Sequence, residues 1–186
     1  MLQNERIYAL LGVVGPLIAL VSIGVSIALS PWFSWETNAL SDLGHAVKSG
    51  VAPIFNFGLL LTGFFLVIYA VKVLKEYARW TGYSLVISAF SLQLVAVFNE
   101  VYDSLHFVVS ILFFLSLGIT SLLYAVERQS YSAVAAFTIG FISWIFYWAG
   151  IYSAGVAVPE TISVTAVLFW ITPSALRIYM SAYRIK

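Results

Sequence analysis

Two eight-residue stretches hold most of the side chains in this sequence that could do chemistry: NALSDLGH, Asn38 to His45, and NEVYDSLH, Asn99 to His106. Both read N-x-x-x-D-x-x-H. The chain has only two aspartates, Asp42 and Asp103, and only two histidines, and each aspartate precedes a histidine by three residues. Two of the four asparagines open the boxes. Scarce residues recurring at the same offsets point to an internal repeat.

On a helix, offsets of four and seven residues would align Asn, Asp and His along one face. If the two copies met at a shared mouth, Asp42, His45, Asp103 and His106 would offer oxygen and imidazole ligands in a number that suits a divalent metal such as zinc, or manganese or iron. Glu100 or Glu36 would then be the candidate base, with Asn38, Ser41, Asn56 and Asn99 as hydrogen-bonding ligand contacts. The same groups could work without metal, an aspartate polarising a histidine for acid–base chemistry. A structural reading stands beside these. Asp42 and Asp103, with Ser41 and Ser104, are good helix N-caps, and a duplicated hairpin would inherit duplicated caps whether or not it catalyses anything.

The elements that must position these residues follow from composition. Of 186 residues, 62% are hydrophobic and 9% charged, with mean hydropathy +0.99. That leaves too little polar surface to cover a water-soluble globule. Apolar runs near the roughly 20 residues a bilayer requires fall at 7–29, 51–71, 80–98, 105–126, 132–153 and 160–182. They lack the in–out alternation of a barrel strand. The expectation is one all-α, polytopic domain over residues 1–186, with six transmembrane helices and a long loop, 30–50.

Basic residues orient such a chain. Arg6, Lys72, Lys75, Arg79, Arg128, Arg177, Arg184 and Lys186 fall on one side and only Lys48 on the other. Both termini are therefore expected in the cytoplasm of a cell-membrane protein, with the two boxes, Glu36 and Glu160 outside. A net charge of +1 gives nucleic acid no clustered basic surface. Membrane lipids, and a second copy of the chain, are the partners left. The absence of cysteine excludes disulfides and thiolate chemistry.

The repeat extends beyond the boxes. Gly63 to Tyr69, followed by AVK, mirrors Gly118 to Tyr124, followed by AVE. Helices one and two and helices three and four are expected to be parallel copies of one hairpin. Trp32, Phe33 and Trp35 suit the headgroup region, and part of the loop is expected to lie there as a short helix. The small pairs Ser22/Ser26 and Ala136/Gly140 allow close helix approach, while Asn56 and Gln93 could bond helices together. Trp144, Tyr147, Trp148 and Tyr152 read as packing or interface anchors. No charge lies clearly mid-span, which argues against a proton-driven transporter.

The run NALSDLGHAVKSGVAPIFNFG, with the glycine of LLLTGFF after it, resembles the prokaryotic membrane-protein family catalogued as domain of unknown function 998. Asn38, Ser41, Asp42, Leu43, Gly44, Asn56, Gly58 and His106 match that family's elements. More distantly the chain looks like the eukaryotic Frag1, DRAM and Sfk1 group, with Leu40 where that group has isoleucine. The resemblance implies six helices and no defined reaction. The membrane zinc hydrolases of the alkaline ceramidase and progestin-receptor superfamily differ, since here there is no His-x-x-x-His pair and no seventh helix. Two readings follow: a non-enzymatic protein whose outer polar site binds lipid headgroups or a metal, and, as runner-up, a metal-dependent hydrolase or transferase acting on lipid.

Overall fold

The structure, a computed structural model, describes residues 3–181. The described residues contain no strand. Six helices are long and apolar enough to cross a membrane: α1 (Arg6–Ala28), α2 (Ala52–Tyr77), α3 (Arg79–Val97), α4 (Ser104–Arg128), α5 (Tyr131–Trp148) and α6 (Ala157–Ser181). The first is opened by a 3-10 helix, Gln3–Leu10. Arg184 and Lys186, used above for orientation, and the expected helix end at 182 lie outside the described residues.

Two helix ends differ from expectation, each for a local reason. α2 continues past 71 because a π-helical turn, Ala70–Leu74, carries the chain through to Tyr77. α5 stops at Trp148, short of 153, because Gly150 takes φ +64°. Such a left-handed residue ends a helix, and glycine accepts it without strain. Ile151 N–H then donates back to Phe146 O at 3.0 Å.

Successive helices pack side by side, and α6 closes the bundle against α1. Lipid offers no hydrophobic drive for helix association, so close packing and interhelical hydrogen bonds must supply it. Accordingly Ser26, Thr62, Ser88, Ser91, Thr120 and Ser121 are buried, while Val21, Phe57, Phe107, Leu115 and Phe169 point outward. Thr62 Oγ1 donates to Gly15 O at 3.0 Å, Ser84 and Thr120 share a bond of 2.8 Å, and Trp170 Nε1 donates to Ser121 Oγ at 3.1 Å. At Gly58 the approach of α1 is so close that a Cβ would collide with Ser22. Gln93, expected to bond helices, packs instead on Gly63, where a Cβ would lie 2.5 Å from its Cγ.

At one end of the bundle the connections are minimal. A single extended residue, Ala78, joins α2 to α3. It has no side chain able to cap α3, and Glu127 of the neighbouring α4 does so. The Glu127 carboxylate accepts from Trp80 N at 2.9 Å, Thr81 N at 2.9 Å and Thr81 Oγ1 at 2.6 Å. The opposite end carries the connections between α1 and α2, α3 and α4, and α5 and α6. Both N-x-x-x-D-x-x-H boxes lie there.

Candidate functional site

Residues 29–51 fold as turns around one short 3-10 helix, Leu40–Gly44. The exposed rings of Trp32 and Trp35 flank Phe33, which meets Trp35 edge-on at 5.3 Å. Two backbone bonds tie the loop to the α5–α6 connection: Gly155 N to Trp35 O at 2.8 Å and Ala157 N to Asn38 O at 2.9 Å. Gly155 is needed there because a Cβ would overlap the Asn38 backbone.

The first box forms a 3-10 turn, Leu40–Gly44, with Leu40 and Leu43 buried beneath it. Asp42 Oδ2 accepts from Ala39 N at 3.0 Å and from Asn38 Nδ2 at 2.7 Å. The N-cap is Ala39 rather than the expected Asp42; Asp42 is the third residue of the turn and its carboxylate reaches back to the Ala39 amide. Asn56 Nδ2, reaching up from α2, donates to Gly44 O at 2.8 Å. Leu40 N–H donates at 2.7 Å to Glu160 Oε2, a buried carboxylate in the first turn of α6. A carboxylate there also meets the positive end of the helix dipole.

The second box takes another form. Asn99 Oδ1 accepts from Val101 N at 3.2 Å, capping the short turn Glu100–Tyr102. Asp103 is exposed, with φ +45°, and starts α4 through its carbonyl, which receives Phe107 N–H at 3.0 Å. His106 is buried in the first turn of that helix.

The boxes do meet, through residues other than the aspartates. Ser41 Oγ donates to Glu100 Oε1, and His106 Nε2 stands 3.1 Å from the same oxygen. Ala46 N–H reaches Asn99 Oδ1 at 3.5 Å. His106 Nδ1 lies 2.7 Å from Phe98 O; a carbonyl only accepts, so Nδ1 carries a proton. Glu100 and His106 then share one further proton at Nε2, with Ser110 Oγ 3.3 Å away. The hydrogen bond from His106 holds the Glu100 carboxyl below its ordinary value of 4.5, helped by Ser41 and opposed by burial.

His45 belongs to a separate circuit. Its Nδ1 accepts from Val47 N and Lys48 N, both at 3.3 Å. The ring proton therefore sits on Nε2, so the neutral ring has no lone pair left to point outward. The expected set Asp42, His45, Asp103 and His106 is thus not gathered around one point. Among the described residues no three His, Asp or Glu side chains stand together as metal ligands would. Glu36 is exposed, and its side chain makes no hydrogen bond to the cluster.

What the turn does enclose is a cavity of about 340 Å³ lined by Trp32, Asn38, Asp42, His45 and Lys48. The buried hydroxyls of Ser26, Ser30, Ser49 and Thr161 toward this end, like that of Ser88 within α3, have no protein partner. The family described as Protein of unknown function (DUF998) matches the chain over residues 13–177. The chain belongs to this family. The matched span runs from α1 into α6 and includes both boxes, the cavity and Glu160, so family membership covers the whole bundle. No curated protein and no solved structure matches the chain.

In the sequence Glu160 stands only as a neighbour of the boxes. Its position directly after Pro159, in a helical first turn, was the available signal, since carboxylates are favoured there. Trp32 and Lys48 were read as an interface anchor and a lone charge. Nothing in their spacing disclosed that one cavity would hold both.

Proposed function

We propose that this is a non-enzymatic membrane protein that recognises the polar headgroup of a lipid at the membrane face away from the cytoplasm. The observation that carries the reading is the cavity lined by Trp32, Asn38, Asp42, His45 and Lys48. It offers a cation, an anion, an N–H donor and an aromatic ring, on a loop braced by Asn56, Glu160 and the Ser41–Glu100–His106 cluster. Half-exposed tryptophans such as Trp32 and Trp35 suit headgroup depth. The outward orientation rests on the basic residues, which among the described residues lie, apart from Lys48, toward the other end.

A ligand that binds only the folded protein raises its stability, by about 2.7 kcal/mol at a hundredfold excess over Kd. Detergent-solubilised protein should therefore unfold at a higher temperature with mixed phospholipid than without it. Lys48→Ala, a change at an exposed loop position, should remove most of that rise and leave the lipid-free midpoint in place. An equal rise in both proteins would refute the reading, and so would stoichiometric metal in the purified chain.

A further inference from the structure

We infer that the ligand is a glycerophospholipid whose headgroup ends in a primary ammonium, with one acyl chain lying in a groove between α1 and α2. The inference rests on the headgroup reading above and specifies the ligand of that site.

The headgroup class follows from which atoms the cavity leaves uncommitted. Asp42 takes both of its protein hydrogen bonds on Oδ2, so Oδ1 is left to receive a donor. His45 has spent Nδ1 on backbone amides and can only donate from Nε2. Lys48 lines the same cavity. One carboxylate oxygen opposite two donors matches a zwitterion, its ammonium at Asp42 and its phosphate at Lys48 and His45. Trp32 adds a π-face for the cation. A quaternary ammonium cannot donate to Oδ1 and is normally held by a cage of several rings, where this cavity has one. An anionic headgroup such as glycerol phosphate would leave Asp42 facing it with like charge.

The acyl chain follows from a groove between α1 and α2. Val14, Val21 and Val25 of α1 and Pro53, Phe57 and Leu61 of α2 wall a space of about 810 Å³ whose floor is Ser22 against Gly58. It begins at the last turn of α1 and first turn of α2, the end where the Leu40–Gly44 turn packs on both helices. From Val25 to Val14 a helix descends about 16 Å. One leaflet's hydrocarbon is about 15 Å deep, half of a 30 Å core. The groove therefore has the length of one acyl chain and starts at the end of the bundle that carries the headgroup cavity.

The test is native mass spectrometry of the detergent-solubilised protein with equimolar phosphatidylethanolamine, phosphatidylcholine and phosphatidylglycerol of identical acyl composition. The expected result is a bound population at least fivefold richer in phosphatidylethanolamine than in either competitor. Asp42→Asn should erase that preference, and Val21→Trp, at an outward-facing groove position, should lower occupancy of every lipid at least fivefold. Equal retention of the three headgroups, or preference for phosphatidylglycerol, overturns the ammonium assignment while leaving headgroup binding intact. Undiminished occupancy in Val21→Trp overturns the groove. No retained lipid in the wild type overturns this inference and the proposed function together.

Discussion

Glu100 Oε1 is the atom on which the two boxes converge. It takes a hydroxyl from the loop at Ser41 and an N–H from α4 at His106. Hydrogen bonds to an ionised acceptor are roughly twice as strong as neutral ones, and the pair is half-sheltered from water. Because its folded-state value lies below the ordinary 4.5, the carboxylate contributes stability that is fully present above that value and lost as pH falls through the lower one. Glu100→Gln keeps the shape but not the charge, and should cost about 1 kcal/mol at neutral pH. It should also flatten the acid limb of a thermal-stability profile taken from pH 7 to pH 3. Parallel acid limbs for wild type and variant would show that the carboxylate does not hold the loop. At this scale the sequence was half legible. The repeated spacing led to the right end of the molecule, but it suggested equivalent roles for His45 and His106. The structure separates them because His45 follows a 3-10 turn, where its ring folds onto backbone amides, and His106 sits within a helix, where its ring is buried against Phe98 O.

Among the elements, the joint between α2 and α3 shows what spacing along the chain cannot convey. The linker is one residue, Ala78, and a Cβ on Gly82 would lie 2.6 Å from the Lys75 backbone, so the turn leaves no room for a local cap. The cap arrives from Glu127, 46 or 47 residues along the chain, with Arg128 beside it over the Tyr77 ring at 3.8 Å. Removing an N-cap acceptor costs about 1 kcal/mol. Glu127→Ala should therefore lower the unfolding midpoint and raise hydrogen exchange at Trp80 and Thr81, while leaving lipid binding at the other end unchanged. Exchange that stays slow at those two amides would mean that another group serves α3. In the sequence Glu127 showed only as the repeat partner of Lys72. A cap supplied by a neighbouring helix has no local signature, whereas the α5 stop at Gly150 has one in the glycine itself.

For the whole molecule, the six spans were legible because hydrocarbon leaves a helix no partner for its backbone but itself. Long apolar runs therefore map onto helices almost one for one. Which way the bundle faces depends on charge instead. Among the described residues Arg6, Lys72, Lys75, Arg79, Arg128 and Arg177 belong to one end and Lys48 to the other, and short loops rich in Lys and Arg are retained in the cytoplasm. The proposed lipid site inherits this assignment, since it fixes which leaflet the headgroup cavity and the groove can sample. A chain without cysteine allows a direct test, because a single introduced thiol is the only reactive one. Val47→Cys, 80% exposed on the long loop, should react with an impermeant maleimide on intact cells. Tyr131→Cys, 90% exposed at the start of α5, should react only after lysis. The reverse pattern would turn the bundle over and move the proposed lipid site to the cytoplasmic leaflet. Among the described residues Lys48 alone would then be a retained cation, and the six basic residues at the other end would form an exception to the charge rule.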